Sequence, residues 1–397
     1  QLNIEHILFL CKSARMKAPI YQSKNMSKTS KIVLAVVVII VLIFALKGGN
    51  SSDTIKIGYI GPFTGAVAAT SGEDVGNGWK LAVMKRPEIA GRKVEVIYED
   101  DACTPQKAAS AAQKLINIDK VKIVVNGVCS GSMVSEAPIT ESNKVILFSP
   151  VSTTPKITDA GDYVFRTSAT GVHTAQALVK YLNQFGYNKI AILFENAEYP
   201  VGIKDAFEPL FKADTTHSIL AVEGITAQDT DMRSQLLKIS NAKPQAVVVI
   251  MNSSATANSF IKQASDLGIK LPVLGNEYFA FDVVVKNPSA EGMYSTQYDY
   301  DLNSPSLLSY LAEYKETYGK APSQDIYASL PFDGYNVLAD AIEACKGDKP
   351  SCVRDELYKT KGYQGITGTI TIDAKGDTER QFTLRKISGG KLISLND

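Results

Sequence analysis

The chain has 397 residues, 45% of them hydrophobic and 21% charged, which is enough for two domains with cores of their own. The formal charge of +1 averages two unlike regions: seven Lys/Arg and one acid precede Asp53, whereas 35 basic and 40 acidic residues stand from Asp53 onward, a net of −5. No basic surplus remains to suit a polyanion, so nucleic acid is excluded as a partner.

Residues 1–25 carry no usable pattern, and Met26 followed by SKTSK looks like a natural start. Residues 1–31 are expected as a disordered, cytoplasmic N-terminus. Ile32 to Leu46 then read IVLAVVVIIVLIFAL without a polar residue, between Lys28 and Lys31 on one side and Lys47 on the other. That run is short for a spanning helix and long for a buried one. It has no clear small-residue cleavage pair and no Cys close behind it, so residues 32–47 read as an uncleaved membrane anchor, with a removed signal segment as the alternative. The preceding lysines orient the rest of the chain outward, so an exported protein is expected.

Past this point, short β-branched runs alternate with longer amphipathic stretches. Strands are expected at 54–60, 94–100, 121–127, 145–149, 189–195, 218–224, 245–251 and 271–275. Helices are expected between them at 105–118, 174–186, 230–240 and 256–268, with apolar residues three and four apart, as in Ala108, Ala112, Leu115 and Ile116. Gly186 and Gly268 stand where helix C-caps belong. Apolar strands each followed by a helix indicate parallel sheets covered on both faces. The pattern runs twice, over about 54–150 and 189–275. The tail departs from it, with helices near 305–318 and 325–345 and strands at 364–373 and 380–388. The expected architecture is α/β, two doubly wound parallel-sheet lobes joined by crossover strands and preceded by the hydrophobic anchor. Lobe 1 comprises 53–171 plus 299–371, and lobe 2 comprises 172–298 plus 372–397.

Four cysteines lie in the exported part, an even set that favours disulfides. Cys345 and Cys352 flank a turn-like KGDKPS and pair locally, which leaves Cys103 for Cys129. A zinc site is the competing reading and lacks Cys-x-x-Cys spacing. No metal, cofactor or catalytic residue is expected.

Doubly wound sheets bind ligands beyond the C-terminal ends of their strands, so the residues there are the candidates. Ser130 follows one strand and sits near a helix start, where a hydroxyl and free N–H groups suit a carboxylate, although an ordinary N-cap has the same form. Val151 and Thr153 fall in a loop between two prolines. Tyr199 follows KIAILFE, and Glu277 follows LPVLG, where a carboxylate can meet an ammonium group or simply face solvent. The segment Gly127-Val128-Cys129-Ser130-Gly131 also fits a thiol version of a hydrolase elbow. Its nucleophile lacks a well-placed base, since His173 opens a helix and His217 lies in a loop, and Cys129 has a disulfide partner at hand.

IKIGYIGPFTG (55–65), YEDDACTPQKAASAAQKLI (98–116), NGVCSGS (126–132), FSPVSTTPKIT (148–158) and GITAQDTDMRSQLLKI (224–239) resemble the leucine/isoleucine/valine-binding protein family, type I periplasmic solute-binding proteins of ABC importers. The resemblance covers about Thr54 to Asp397. It implies two lobes that close on a ligand between them, with three crossovers. It implies that Ser130 binds the ligand's carboxylate, that Thr153 contacts carboxylate and ammonium, and that the Val151 carbonyl accepts from the ammonium. Glu277 would pair with the ammonium, and Tyr199 would close over the ligand. It also implies a Cys103–Cys129 disulfide. This chain departs from the family at Asn252-Ser253-Ser254, where the amino-acid binders often carry an aromatic pair. A side-chain pocket around Thr70, Ser71, Asn252, Ser253 and Ser254 then suits a smaller or more polar amino acid. The expected role is capture of a small zwitterionic ligand for an ABC transporter permease. The alternatives are an amide- or small-carboxylate-sensing receptor on the same fold and, more remotely, a thiol hydrolase using Cys129.

Overall fold

The computed structural model describes residues 54–226 and 231–395. The apolar run expected as an anchor or signal lies outside them, and among the described residues no helix is long and apolar enough to cross a membrane. The described chain folds around two main sheets. The first contains β1 (Thr54–Gly61), β2 (Glu88–Ile89), β3 (Arg92–Asp100), β4 (Ile123–Asn126), β5 (Ile146–Ser149) and β6 (Val164–Arg166), in the order β2-β3-β1-β4-β5-β6. The second contains β7 (Lys189–Glu195), β8 (Ser218–Ile225), β9 (Ala246–Ile250), β10 (Val273–Gly275) and β11 (Tyr294–Tyr298). A hairpin of β12 (Tyr363–Gly365) and β13 (Gly368–Ile370) stands apart, and β14 (Phe382–Ser388) and β15 (Lys391–Ser394) complete the second sheet as β15-β14-β11-β10-β9-β7-β8.

Within each sheet the pairs are parallel except at one edge, where β2 joins β3 and where β14 joins β11 and β15 antiparallel. In both sheets the first strand lies between later ones: β1 between β3 and β4, and β7 between β8 and β9. The strand order therefore reverses at β1 and β7, and the loops on either side of each diverge to leave a crevice at the strands' C-terminal ends.

The helices are α1 (Glu73–Lys85), α2 (Pro105–Asn117), α3 (Ser130–Ser142), α4 (Gly171–Gln184), α5 (Glu198–Lys212), α6 (Arg233–Asn241), α7 (Ser254–Asp266), α8 (Pro305–Tyr318), α9 (Asp325–Ala344) and α10 (Pro350–Leu357). The face of α2 read from the sequence, Ala108, Ala112 and Leu115, is fully buried with Val124 and Leu147 of the first sheet. The other face of that sheet packs on α1 and α9, where Trp79 sits 5.7 Å from Tyr59 and 5.2 Å from Tyr335 between ring centroids. Gly186 and Gly268 take positive φ just past α4 and α7, as C-caps do.

The chain passes between the two sheet-centred halves three times: from β6 to α4, from β11 to α8, and from β13 to β14. Two buried arginines tie the first and third of these passages together. Arg166 donates to Asp377 Oδ1 (2.6 Å), the Thr154 carbonyl (2.7 Å) and Thr158 Oγ1 (2.8 Å). Arg380 donates to the carbonyls of Thr167 (3.2 Å) and Thr367 (2.7 Å). A guanidinium withdrawn from water needs several acceptors; Arg166 finds three, whereas Arg380 keeps Nη2 without a partner among the described residues.

The contact between α1 and α9 depends on Gly78, because a Cβ there would lie 2.1 Å from the Ala328 carbonyl oxygen. Gly76, one half-turn earlier, has no atom nearer its Cβ position than a ring carbon of Phe63 at 3.8 Å. Gly78→Ala is therefore expected to lower stability by about 1–3 kcal/mol through overpacking. Gly76→Ala should be neutral or stabilising by up to about 1 kcal/mol. Urea unfolding of the two variants checks the difference in sign.

Candidate functional site

A cavity of about 270 Å³ opens where the C-terminal ends of the two sheets face one another, lined from both halves. On the first side, β4 ends at Asn126 and α3 begins at Ser130. The N-cap, Cys129, is extended (φ −85°, ψ 121°) and offers no side-chain capping bond, so the first N–H groups of α3 stay available at the cavity. Cys129 is bound instead to Cys103, with 5.5 Å between Cα atoms. The Cys103 end is shaped by two carboxylates closing local turns: Asp100 Oδ1 accepts from Ala102 N (3.1 Å) and Asp101 Oδ1 from Cys103 N (2.9 Å). Both Ala102 and Cys103 take positive φ there.

The loop after β5 is pinned on itself. Ser149 Oγ accepts from Val151 N (3.3 Å) and Ser152 N (2.9 Å), Ser168 Oγ donates to the Ser152 carbonyl (2.6 Å), and Gly171 N donates to the Thr153 carbonyl (2.7 Å). Val151 and Thr153 then line the cavity. The Thr153 hydroxyl is buried and has no hydrogen-bond partner among the described residues. Such a group costs free energy unless something that enters the cavity satisfies it.

On the second side, β10 ends at Gly275 and Asn276 turns its side chain back across the strand ends. Asn276 Nδ2 donates to the Met251 carbonyl (2.8 Å) and to the Tyr199 hydroxyl (3.1 Å), and its Oδ1 accepts from Met251 N (3.1 Å). Glu277 follows at 2% exposure. Its carboxylate accepts from Thr174 Oγ1 of α4 at 3.1 Å and from the Tyr199 hydroxyl of α5. Burial raises the Glu277 pKa above its ordinary 4.5, and the Tyr199 and Thr174 hydrogen bonds oppose that rise in part. Among the described residues, the acids lining the cavity are Glu277 and Glu198, and no Lys, Arg or His lines it. Glu198 is already matched, by Lys156 Nζ at 2.8 Å and Thr154 Oγ1 at 3.0 Å, both from the loop after β5.

The apolar wall is aromatic. Tyr278, Tyr298 and Tyr327 line the cavity with Tyr199, and the centroid of Tyr278 lies 5.9 Å from Tyr199 and 6.2 Å from Tyr327. Of the residues expected to form the side-chain pocket, only Asn252 lines the cavity. Ser253 caps α7, accepting from Thr256 N at 3.1 Å, and Ser254 is buried as the first residue of that helix. Ser71 lies behind the wall, its hydroxyl 3.4 Å from that of Tyr278, and Thr70 Oγ1 donates to the Val67 carbonyl at 3.2 Å. The hydroxyls at Thr70, Ser71 and Ser253 thus serve local hydrogen bonds. Ser130, Val151, Thr153, Tyr199 and Glu277 are brought together around the one cavity.

Sequence reasoning passed over Thr174 and Asn276 as partners of Glu277 and Tyr199, and over Tyr298 and Tyr327. Asn276 stands directly before Glu277 at a strand end, a signal that was open to use. Tyr327 comes from a helix far along the chain and carries no local signal. The second disulfide joins Cys345 and Cys352, linking the end of α9 to α10 with 5.9 Å between Cα atoms.

Residues 54–391 match the family model described as periplasmic binding protein. The chain belongs to that family of solute-binding receptors. It is 28% identical over 348 residues to the leucine-, isoleucine-, valine-, threonine- and alanine-binding protein of Pseudomonas aeruginosa, covering 84% of this chain and 90% of that protein. Among solved structures, a leucine binding protein from Thermotoga maritima is 26% identical with a TM-score of 0.78, covering 85% of this chain and 97% of that one. A solute binding protein of an ABC transporter from Rhodopseudomonas palustris, in complex with 3,4-dihydroxybenzoic acid, is also 26% identical, with a TM-score of 0.76 and coverage of 86% and 95%. The α/β architecture is thus that of type I periplasmic binding proteins. The thiol-hydrolase alternative loses its nucleophile to the Cys103–Cys129 bond.

Two predictions follow from this geometry. Replacing Cys103 and Cys129 together by Ala opens a loop of 26 residues and should cost about 2–4 kcal/mol, measured by denaturant unfolding. Native Glu277 holds its proton more tightly than the unfolded chain does, so its contribution to stability falls as pH rises above 4.5. Ligand-free Glu277→Gln should therefore melt above the parent protein at pH 7, with the gap closing towards pH 4. A melting-temperature series against pH reads this directly.

Proposed function

We propose that this chain is an exported receptor that captures a zwitterionic amino acid between two lobes and delivers it to the permease of an ABC importer. Lobe 1 is built on the first sheet and lobe 2 on the second, with the three chain passages as the hinge. The observation that carries the reading is Glu277, a carboxylate at 2% exposure held by two hydroxyls, in a cavity that no basic side chain lines among the described residues. A buried carboxylate without a cation is unfavourable, and a ligand ammonium is the group that relieves it.

The opposite end of the cavity suits the ligand's carboxylate. The start of α3 presents uncapped N–H groups beside Ser130, and Thr153 offers an unpartnered hydroxyl. The Val151 carbonyl serves as a further acceptor for the ammonium, and Tyr199 lies over the bound molecule while steadying Glu277. The relative from Pseudomonas aeruginosa bears an amino-acid name, which agrees with this reading.

An aromatic carboxylate is the second reading. The tyrosine wall and the dihydroxybenzoate-bound relative favour it. It is the weaker one, because such a ligand brings no cation to Glu277.

Removing one partner of a buried charge pair costs about 2–5 kcal/mol, so Glu277→Gln should weaken amino-acid binding by about 30-fold or more while the fold persists. Calorimetric titration of parent and variant with the tightest amino acid of a full set checks this. An unchanged affinity overturns the amino-acid reading, and binding of 3,4-dihydroxybenzoate in place of every amino acid establishes the second one. A further expectation concerns pH. Glu277 must give up its proton to pair with an ammonium, so affinity should fall as pH is lowered through its raised pKa, and the dependence should vanish in Glu277→Gln.

A further inference from the structure

The loop after β9 is held more firmly than its position at a strand end requires. Asn276 grips Met251 at both its N–H (3.1 Å) and its carbonyl (2.8 Å). Glu195, at the end of β7 and 2% exposed, accepts from Asn252 N at 2.9 Å. Ser253 then starts α7 with a capping bond to Thr256 N. Three side chains from three different elements thus fix the backbone on either side of Asn252. Asn252 itself lines the cavity, and its side-chain amide makes no hydrogen bond among the described residues. A planar group with two donors and an acceptor, on a clamped backbone, is pre-organised to read a hydrogen-bonding partner.

The surroundings narrow what that partner is. The acids at the cavity are already assigned, Glu277 to the ligand's ammonium and Glu198 to Lys156 at 2.8 Å. Among the described residues, no basic side chain lines the cavity to hold a second ligand carboxylate. A charged side chain on the ligand therefore lacks a free counter-charge. A pure hydrocarbon one would strip water from the Asn252 amide and return nothing. Resting on the amino-acid reading above, we infer that Asn252 is the specificity-determining residue and that the ligand is an amino acid whose side chain carries a neutral hydrogen-bonding group, a hydroxyl or a carboxamide. The tyrosines at 5.9 and 6.2 Å from Tyr278 pack the apolar part of that side chain.

Matched amino acids that differ in the polar group test this: threonine against valine, tyrosine against phenylalanine, and glutamine against methionine, titrated calorimetrically into the parent protein, Asn252→Ala and Asn252→Leu. The tightest ligand of the six should be a polar member, bound about tenfold or more tighter than its match, since a site built around a hydrogen bond rejects the analogue that lacks it. Asn252→Ala should erase that preference by weakening the polar member alone. Asn252→Leu, of similar volume, should do the same or reverse it, and it carries the test if the alanine variant does not fold. An apolar member binding as tightly as its polar match in every pair, or variants that weaken both members equally, overturns the role of Asn252 and leaves the amino-acid reading standing. Failure of all six, with no other amino acid bound, overturns both.

Discussion

Glu277 places a carboxylate out of water against two hydroxyl donors and, among the described residues, no cation, and much of the second sheet's C-terminal edge is arranged around it. The Tyr199 hydroxyl that reaches Glu277 is also held by Asn276, which in turn holds Met251. One polar chain therefore connects the ends of β9 and β10 with the first turns of α4 and α5. Hydroxyls soften the desolvation of a carboxylate but do not neutralise it, so the site keeps an electrostatic demand that a ligand must meet. Holding an unpaired carboxylate out of water lowers the stability of the empty protein, and on the proposed reading a cationic ligand offsets that cost.

The two sheets explain why such a site can be assembled from distant segments. Each reverses its strand order at its first strand, and each opens its crevice at the same end of its strands. With these ends facing one another, loops after β3, β4, β5, β7, β9 and β10 all reach one cavity. The first half supplies a helix start, an orphan hydroxyl and the Cys103–Cys129 bridge. The second supplies the carboxylate and most of the tyrosines. Arg166 and Arg380 hold the first and third crossing segments together with buried hydrogen bonds.

Most of the strands were legible because a parallel sheet covered on both faces demands continuous apolar runs, as in QAVVVIM and KIAILFE. The short β6 and the polar-looking β11, YSTQY, escaped notice for the converse reason: little in them distinguishes a strand from a loop. At the site, residues that directly follow strands could be picked out because the fold class predicts where ligands sit. Tyr327, on α9, and Thr174, on α4, could not, since their roles arise from packing between segments remote in sequence. The serines at 253 and 254 looked like pocket residues because a hydroxyl near a strand end fits a binding loop and a helix cap equally well. The structure places them at the start of α7, where Ser253 is the cap.

The central claim is that the cavity requires an ammonium group. Its most direct test is competition between the tightest-binding amino acid and the same molecule with the amino group replaced by hydrogen, followed by calorimetry at pH 7. The loss of the only cation facing Glu277 should weaken binding by about 30-fold or more. Equal affinity for the two molecules would contradict the account, because it would mean that Glu277 is content without a partner.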